Sequence, residues 1–178
     1  MPQHYGHREL NIVSQSSPTG TQFLQAVGAG FALQRDGEKA VVYVSSGEGT
    51  SSQGDFHEAL NWASRDKVPV IFHIENNHYA ISVPIENQTA GGSVYKISAG
   101  YDNLARFNVD GTDFFETHLA FNKAVERARR GKGPSLIQSD VVRLLPHSSS
   151  DDQRKYRSVE DLEVDRNRDP LLTFANTC

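Results

Sequence analysis

The chain has 178 residues, and its hydrophobic fraction of 37% and mean hydropathy of −0.52 are typical of a soluble protein with one sizeable core. The net charge of −4 and the pI of about 5.9 argue against a nucleic-acid-binding surface, and no apolar run approaches the roughly 18 residues that a membrane span needs. The one cysteine, Cys178, is the last residue, which excludes an internal disulfide framework and a zinc–cysteine cluster and favours a reducing cytoplasm.

The first predicted helix follows an irregular N-terminal stretch that contains the run SQSSPTG. Residues 22–34 keep an approximately helical spacing of apolar side chains, and Thr19 is the predicted cap for the free amides at the helix start. Gly28 and Gly30 each weaken such a helix by about 1 kcal/mol relative to alanine. We therefore expect a neighbouring helix, a second subunit or a ligand to approach this face closely.

Strands and helices then alternate along the chain. The apolar runs KAVVYVSS (39–46) and VPVIFHIENN (68–77) predict strands covered on both faces, with a helix over 51–66 between them. This unit is typical of a right-handed crossover between parallel strands. ARFNVDG (105–111) and PSLIQSDVVRL (134–144) predict two more strands, which flank a helix capped by Thr112 or Asp113 and stopped at Gly131. The alternation predicts an α/β fold with an open, mostly parallel sheet and helices on both faces.

The sequence changes character after the fourth predicted strand. The stretch from Pro146 to Asp169 is almost wholly polar and rich in both charges, which predicts a loop. The final PLLTFANTC begins an apolar pattern and then stops. We therefore expect residues 148–178 to form a polar, mobile loop followed by the start of an interrupted C-terminal segment.

A candidate site lies at the carboxyl ends of the first two strands, the edge where open parallel sheets bind ligands. Glu48, between Gly47 and Gly49, follows the first strand, and Asn76 and Asn77 follow the second. Because the crossover makes these strands neighbours, we expect Glu48 and Asn77 to lie close together. Their oxygens suit magnesium or calcium, and the glycines allow the main chain to approach a phosphate. Either motif alone is most often only a turn, but together they predict a metal-bridged diphosphate.

The segment GEGTSSQGDFHEALNWASRDKVPVIFHIENN (47–77) resembles the thiamine-diphosphate signature, Gly-Asp-Gly followed after a spacer by Asn-Asn, with Glu48 in the aspartate position. MPQHYGHRELN, NNHYAISVP, NVDGTD and HSSSDDQRKYRSVEDL look like the alpha subunit of 2-oxo acid dehydrogenases, above all the branched-chain (2-oxoisovalerate) type. The resemblance covers nearly all of residues 1–170. It implies a chain truncated on the N-terminal side, where the family has a helical region that grips the diphosphate, and also on the C-terminal side.

The resemblance implies that thiamine diphosphate and magnesium are the cofactors and that residues 1–147 form the domain that binds them. The implied metal ligands are Glu48, Asn77 and the main-chain carbonyl of Tyr79. The implied cofactor-binding residues are Ser17, Thr19, Gly47, Glu48, Gly49, Thr50, Asn77, Tyr79 and His147. His147 is also the implied catalytic residue, since it matches a histidine that approaches the cofactor.

The implied function is the decarboxylating component of a branched-chain 2-oxo acid dehydrogenase complex, in branched-chain amino acid catabolism. The reaction is thiamine-diphosphate-dependent oxidative decarboxylation of a 2-oxo acid, with acyl transfer to a lipoyl group. The implied partners are a beta subunit, separate or fused, in an alpha–beta heterotetramer, and the lipoyl domain of the acyltransferase component. No nucleic acid or membrane partner is expected.

The resemblance also implies that the isolated chain is inactive, because the carboxylate that activates the aminopyrimidine normally comes from the beta subunit. We expect a cytoplasmic protein, or one of the mitochondrial matrix in a eukaryote. Two alternatives stay open. One is the alpha subunit of a pyruvate or acetoin dehydrogenase, and the other is a non-catalytic fragment that assembles with a beta partner.

Overall fold

The computed structural model describes residues 4–14 and 16–177, so Cys178, together with residues 1–3 and 15, lies outside the described residues. The strands are β1 (Val42–Gly47), β2 (Val70–Asn76), β3 (Tyr79–Ala80), β4 (Val83–Pro84), β5 (Ala105–Asp110) and β6 (Ser135–Asp140). The helices are α1 (Thr21–Arg35), α2 (Gly54–Asp66), α3 (Ile85–Gln88), α4 (Val94–Ile97), α5 (Phe114–Arg129), α6 (Val159–Asn167) and α7 (Pro170–Thr177).

A parallel sheet with the strand order β1-β2-β6-β5 forms the centre of the molecule. Helices α1 and α2 pack on one face of the sheet and α5 on the other, so most strand residues are covered on both sides. The apolar side chains buried between these layers include Phe23, Val27, Phe56, Leu60, Phe72, Ile74, Ala120, Ala124 and Ile137. The predicted α/β architecture is confirmed.

The ends of the long helices show which local predictions hold. The Oδ1 atom of Asp113 accepts hydrogen bonds from the main-chain N–H groups of Phe115 and Glu116 at 2.8 and 3.0 Å, so Asp113 is the predicted cap of α5. The predicted Thr19 cap of α1 is wrong. Gly20 occupies that position with a φ of 97° and no side-chain cap, because the left-handed turn that leads into α1 favours glycine.

The two glycines of α1 have different surroundings. A Cβ atom on Gly30 would lie 2.8 Å from Cγ1 of Val68 and 2.9 Å from Cγ2 of Val70, so a glycine is needed where α1 crosses the start of β2. A Cβ atom on Gly28 would meet no atom within 4 Å in the part of the chain that the structure describes. Gly30 therefore serves packing within the chain, whereas the predicted subunit contact at Gly28 stays a prediction.

The segment between β2 and β5 contains short elements that the sequence did not reveal. Strands β3 and β4 form an antiparallel two-residue ladder, and α3 and α4 have four residues each. Elements of this length are too short to show a hydrophobic period. β3 and α3 both contact the turn that follows β1, whereas α4 contacts β5 and β6.

The polar loop predicted to begin at residue 148 is interrupted by α6, whereas α7 lies in the final apolar stretch, where the start of an interrupted C-terminal segment was predicted. The side chain of Arg157 is only 4% exposed and lies 2.6 Å from Oδ2 of Asp165. Arg168 lies 3.0 Å from Oδ1 of Asp110, across the predicted domain boundary. Several charges of the segment therefore pair with one another rather than with water. The boundary between residues 147 and 148 stays a prediction.

Candidate functional site at the carboxyl edge of the sheet

The structure brings Glu48 and Asn77 together at the carboxyl ends of β1 and β2. The two strands run in register, with Gly47 beside Glu75, so the turns that follow them are neighbours. Glu48 begins a 3₁₀ turn (Glu48–Ser52) and is 1% exposed. The main-chain N–H of Asn77 donates to Oε2 of Glu48 at 3.1 Å. A carboxylate is thus buried against the chain that follows the neighbouring strand.

Three buried side-chain oxygens in this region have no hydrogen-bond partner within the described residues. Two of them, Oε1 of Glu48 and Oδ1 of Asn77, belong to residues predicted to bind a metal, and the third is Oε1 of Gln88. A buried acceptor without a donor is unfavourable by about 1–3 kcal/mol, and native structures contain few of them. A hard cation such as Mg²⁺ prefers carboxylate and amide oxygens. The donor set therefore fits a divalent cation.

The electrostatics of Glu48 favour a cation. Burial raises the pKa of the carboxyl group, because a charge is poorly solvated there. Hydrogen bonds from the main-chain N–H groups of Glu48 and Asn77 and the nearby His78 and Arg143 side chains act against this rise. The rise persists despite these groups, so a bound divalent cation would stabilise the carboxylate.

The hairpin formed by β3 and β4 packs directly on the turn around Glu48. A Cβ atom on Gly49 would lie 2.8 Å from Cβ of Ala80, so a glycine is required at Gly49 for this approach. At Gly47, a Cβ atom would make only an ordinary contact of 3.8 Å with the carbonyl oxygen of Glu75. Tyr79, whose carbonyl is a predicted ligand, begins this hairpin, and its strand β3 contacts the turn that Glu48 begins.

Asn76 has a different role from its neighbour Asn77. Its Nδ2 donates to Oδ1 of Asp140 at 2.8 Å, and its Oδ1 accepts from the main-chain N–H of His78 at 3.1 Å. His78 has a φ of 68°, a left-handed backbone conformation that residues other than glycine rarely adopt. Asn76 and Asp140 therefore hold the tight turn that carries Asn77 and leads to Tyr79.

The residues predicted to face the diphosphate lie around Thr50. The Oγ of Ser46 donates to Oγ1 of Thr50 at 2.7 Å. A Cβ atom on Gly20 would lie 3.7 Å from Cγ2 of Thr50, so the chain that follows Thr19 packs beside this turn. Ser17 is exposed, and its Oγ lies 3.1 Å from Nε2 of His4. The structure thus places Gly20, which directly follows this stretch, beside the turn of the candidate site, and within the described residues no hydrogen bond joins Ser17 or Thr19 to Glu48 or Asn77.

His147 lies on an exposed loop. The side chains of Asp151, Tyr156 and Arg143 connect this loop to Tyr79 of the hairpin. The main-chain N–H of His147 donates to Oδ2 of Asp151 at 2.9 Å, and the Tyr156 hydroxyl donates to the same oxygen at 2.7 Å. Arg143 donates to that hydroxyl at 2.7 Å and stacks 5.7 Å from the ring centre of Tyr79. Among the described residues, no hydrogen bond joins the His147 imidazole to a predicted metal ligand. No sequence pattern indicated that Arg143 and Tyr156 would connect this loop to the hairpin.

Gln88 is a further residue of this region that sequence reasoning missed. It is the last residue of α3, and its amide group donates to the main chain of the turn around Glu48. The two residues are separated by 40 positions in sequence. No cluster of three or more His, Cys, Asp or Glu side chains suited to a metal occurs among residues 4–14 and 16–177. The candidate donors are instead one carboxylate, one amide and one main-chain carbonyl.

Comparison with known proteins identifies relatives over the whole chain. The sequence profile of the Dehydrogenase E1 component family matches residues 1–178. The chain is 45% identical over 174 residues to the 2-oxoisovalerate dehydrogenase subunit alpha of Bacillus subtilis, covering 98% of this chain and 52% of that protein. It is 42% identical over 159 residues to the 3-methyl-2-oxobutanoate dehydrogenase subunit alpha of Mycobacterium tuberculosis, covering 89% and 43%. With the mitochondrial 2-oxoisovalerate dehydrogenase subunit alpha of Bos taurus, the identity is 42% over 162 residues, covering 91% and 35%.

The chain therefore spans about half the length of the Bacillus subtilis relative and less of the others. A solved structure from Mycobacterium smegmatis, described as a thiamin diphosphate-dependent enzyme, matches 74% of this chain and 24% of its own. The TM-score is 0.56 and the sequence identity is 23%, so this match supports the assignment of the fold alone. Within the part of the chain that the structure describes, no helix has the length and apolar character that crossing a membrane requires.

Proposed function

The chain belongs to the Dehydrogenase E1 component family, and from this premise we propose that it is the cofactor-binding part of the alpha subunit of a branched-chain 2-oxo acid dehydrogenase. The proposed activity is oxidative decarboxylation of a 2-oxo acid, with transfer of the acyl group to a lipoyl group. The relatives named as 2-oxoisovalerate and 3-methyl-2-oxobutanoate dehydrogenase subunits support the branched-chain substrate class.

The observation that carries the proposal is the pair of unpartnered oxygens on Glu48 and Asn77. In the proposed holoenzyme these oxygens and the main-chain carbonyl of Tyr79 would hold Mg²⁺, a hard cation that prefers such oxygen ligands. Gly47, Gly49 and Thr50 bind the diphosphate. Thiamine diphosphate, when bound, supplies the electron sink that decarboxylation of a 2-oxo acid needs.

The other predicted residues have supporting roles in this proposal. Ser17 and Thr19 line the diphosphate and aminopyrimidine side of the cofactor. His147 holds a proton near the reacting atoms, because an imidazole can donate or accept one at physiological pH. Its main-chain hydrogen bond to Asp151 supports this role, since that bond restrains the loop and limits where the imidazole can lie.

The proposed assembly is an alpha–beta heterotetramer whose product is taken up by the lipoyl domain of the acyltransferase component. The relatives are named as alpha subunits, which supports a beta partner. The proposed compartment is the cytoplasm, or the mitochondrial matrix in a eukaryote. We place the protein in branched-chain amino acid catabolism.

Calorimetric titration with thiamine diphosphate and Mg²⁺, in the presence and absence of a beta-type subunit, tests the cofactor assignment. Saturable binding that requires both Mg²⁺ and the beta subunit is expected, and Glu48→Gln should strongly weaken this binding. Association with the beta subunit without cofactor binding would instead indicate the non-catalytic assembly fragment.

Turnover by the assembled enzyme tests the substrate class. The proposal expects a higher kcat/KM for 3-methyl-2-oxobutanoate than for pyruvate. The reverse order would favour a pyruvate or acetoin dehydrogenase and contradict the branched-chain assignment.

A further inference from the structure

Helix α3 connects the two turns that carry the candidate cation ligands. At its start, the main-chain N–H of Ile85 donates to the carbonyl oxygen of His78 at 2.9 Å, and the Ile85 side chain is 1% exposed in the core. At its end, Nε2 of Gln88 lies 3.0 Å from the carbonyl oxygen of Glu48 and 3.3 Å from that of Gly49. One helical turn therefore links the chain between Asn77 and Tyr79 to the chain around Glu48.

The chemistry of its neighbours determines the orientation of the Gln88 amide. Both nearby carbonyl oxygens can only accept hydrogen bonds, so the NH₂ group must face them. Nε2 also donates to Oγ of Ser52 at 2.8 Å, and the two N–H hydrogens are thus shared among three acceptors. The reverse orientation would place Oε1 against two carbonyl oxygens. In the observed orientation, Oε1 is buried and has no partner in the described part of the chain.

These bonds fix the main chain from which the Glu48 carboxylate projects. A peptide group is planar, so holding the carbonyls of Glu48 and Gly49 also fixes the direction of the N–H groups that follow them. Residues 47–50, here called the cation turn, contain two glycines, which on their own permit many backbone conformations. The carbonyl of Gly49 receives a side-chain donor only from Gln88 among the residues that the structure describes. The Ser51 hydroxyl also donates to the Glu48 carbonyl, at 2.6 Å. Gln88 therefore restrains the cation turn together with Ser51, and among the described residues it is the side chain that reaches the Gly49 carbonyl.

We propose that Gln88 is a positioning residue for divalent cation binding, acting through the main chain of the cation turn rather than by touching the cation. The inference rests on the proposed function, because it assumes that Glu48 and Asn77 bind the cation. Loss of the Gln88 donors should allow the cation turn to relax, so that Glu48 and Asn77 no longer present their oxygens in the geometry that the cation requires.

The test measures Mn²⁺ binding to the full-length alpha chain, assembled with its beta partner, in the presence of thiamine diphosphate. Free Mn²⁺ is followed by electron paramagnetic resonance. Gln88→Met keeps the length of the side chain and removes its donors, and we expect a Kd for Mn²⁺ about tenfold higher, as the loss of one or two hydrogen bonds implies. Gln88→Glu keeps the shape but places acceptor oxygens against carbonyls, so it should weaken binding at least as much. The Tm without metal should change by less than about 2 °C. For a chain of this size, this corresponds to a change of less than about 1 kcal/mol in the free energy of unfolding.

Lys123→Met is the control, because Lys123 is exposed and lies on α5, which packs on the opposite face of the sheet from α1 and α2. It should leave the Kd for Mn²⁺ unchanged. Wild-type affinity in both Gln88 variants would overturn the inference and leave the proposed function standing. Variants that unfold even without metal would also overturn it, since Gln88 would then hold the fold itself. A wild-type enzyme that does not bind Mn²⁺ with thiamine diphosphate would refute the proposed function instead.

Discussion

Replacing Glu48 with glutamine removes the charge of the buried carboxylate and nearly preserves its shape. Glu48 is 1% exposed, and only one of its two oxygens has a hydrogen-bond donor from Asn77. Because a poorly solvated charge destabilises the fold, we expect Glu48→Gln to raise the free energy of unfolding of the metal-free protein by about 1–2 kcal/mol near neutral pH. For a chain of this size, the corresponding rise in Tm is about 2–8 °C.

The pH dependence of this difference follows from the raised pKa of Glu48. A carboxyl group with a raised pKa in the folded state binds its proton more tightly there than in the unfolded state. This tighter proton binding stabilises the folded protein. The stabilisation is fully present below the ordinary glutamate pKa of about 4.3 and is lost as pH rises through the folded-state pKa. The two proteins should thus have similar stabilities near pH 4, and the variant should become the more stable one as pH increases.

Thermal unfolding of the chain assembled with a beta-type subunit, over this pH range and with and without Mg²⁺ and thiamine diphosphate, provides the measurement. At ligand concentrations about 100 times the Kd, wild type should gain about 2.7 kcal/mol and the variant should gain little, so the order of stabilities reverses. Glu58→Gln is the control, because Glu58 is an exposed residue on α2. A Glu48→Gln protein that is less stable than wild type without metal, or a difference independent of pH, would refute the reasoning.

Three further predictions concern the fold and are read from urea unfolding or hydrogen exchange. Gly30→Ala should lower stability by about 1–3 kcal/mol through overpacking, whereas Gly28→Ala should leave it unchanged or raise it by up to about 1 kcal/mol. Asp113→Ala removes the cap of α5 and should lower stability by about 1 kcal/mol. Asp165→Ala leaves the buried Arg157 charge unpaired, at an expected local cost of about 3–5 kcal/mol, so hydrogen exchange should accelerate in α6 and α7.

Each of these predictions has a result that contradicts it. Equal effects of the two glycine substitutions would show that the contact between α1 and the start of β2 does not restrict side-chain size. An Asp113→Ala protein as stable as wild type would mean that the helix start is satisfied in another way. Unchanged exchange in α6 and α7 after Asp165→Ala would show that the ion pair does not hold the C-terminal helices.

The sheet and the neighbouring positions of Glu48 and Asn77 followed from sequence for a simple physical reason. A parallel strand covered on both faces is a continuous apolar run, and its carboxyl end is defined by chain direction. Two such runs separated by one helix become neighbours, so the residues that follow them meet. The Asp113 cap and the glycine after α5 were also predictable, because capping depends on adjacent residues.

Contacts between distant segments were not predictable in this way. The sequence does not show that Gln88 reaches a turn 40 residues earlier, because a four-residue helix has no recognisable period. Charges in the C-terminal segment predicted a loop, since composition does not reveal whether a charge meets water or an opposite charge. Thr19 was a reasonable cap by residue type, but the left-handed turn placed Gly20 there instead.

The order of apolar runs and polar chain reversals therefore determined the layered sheet and the edge where the candidate site lies, because both depend on neighbours in sequence. Only the tertiary structure decided which buried oxygens lack a donor among the described residues, which glycine is needed for packing and that the Gln88 amide donates to the main chain of Glu48 and Gly49. These features depend on distances between residues far apart along the chain, and no local pattern encodes those distances.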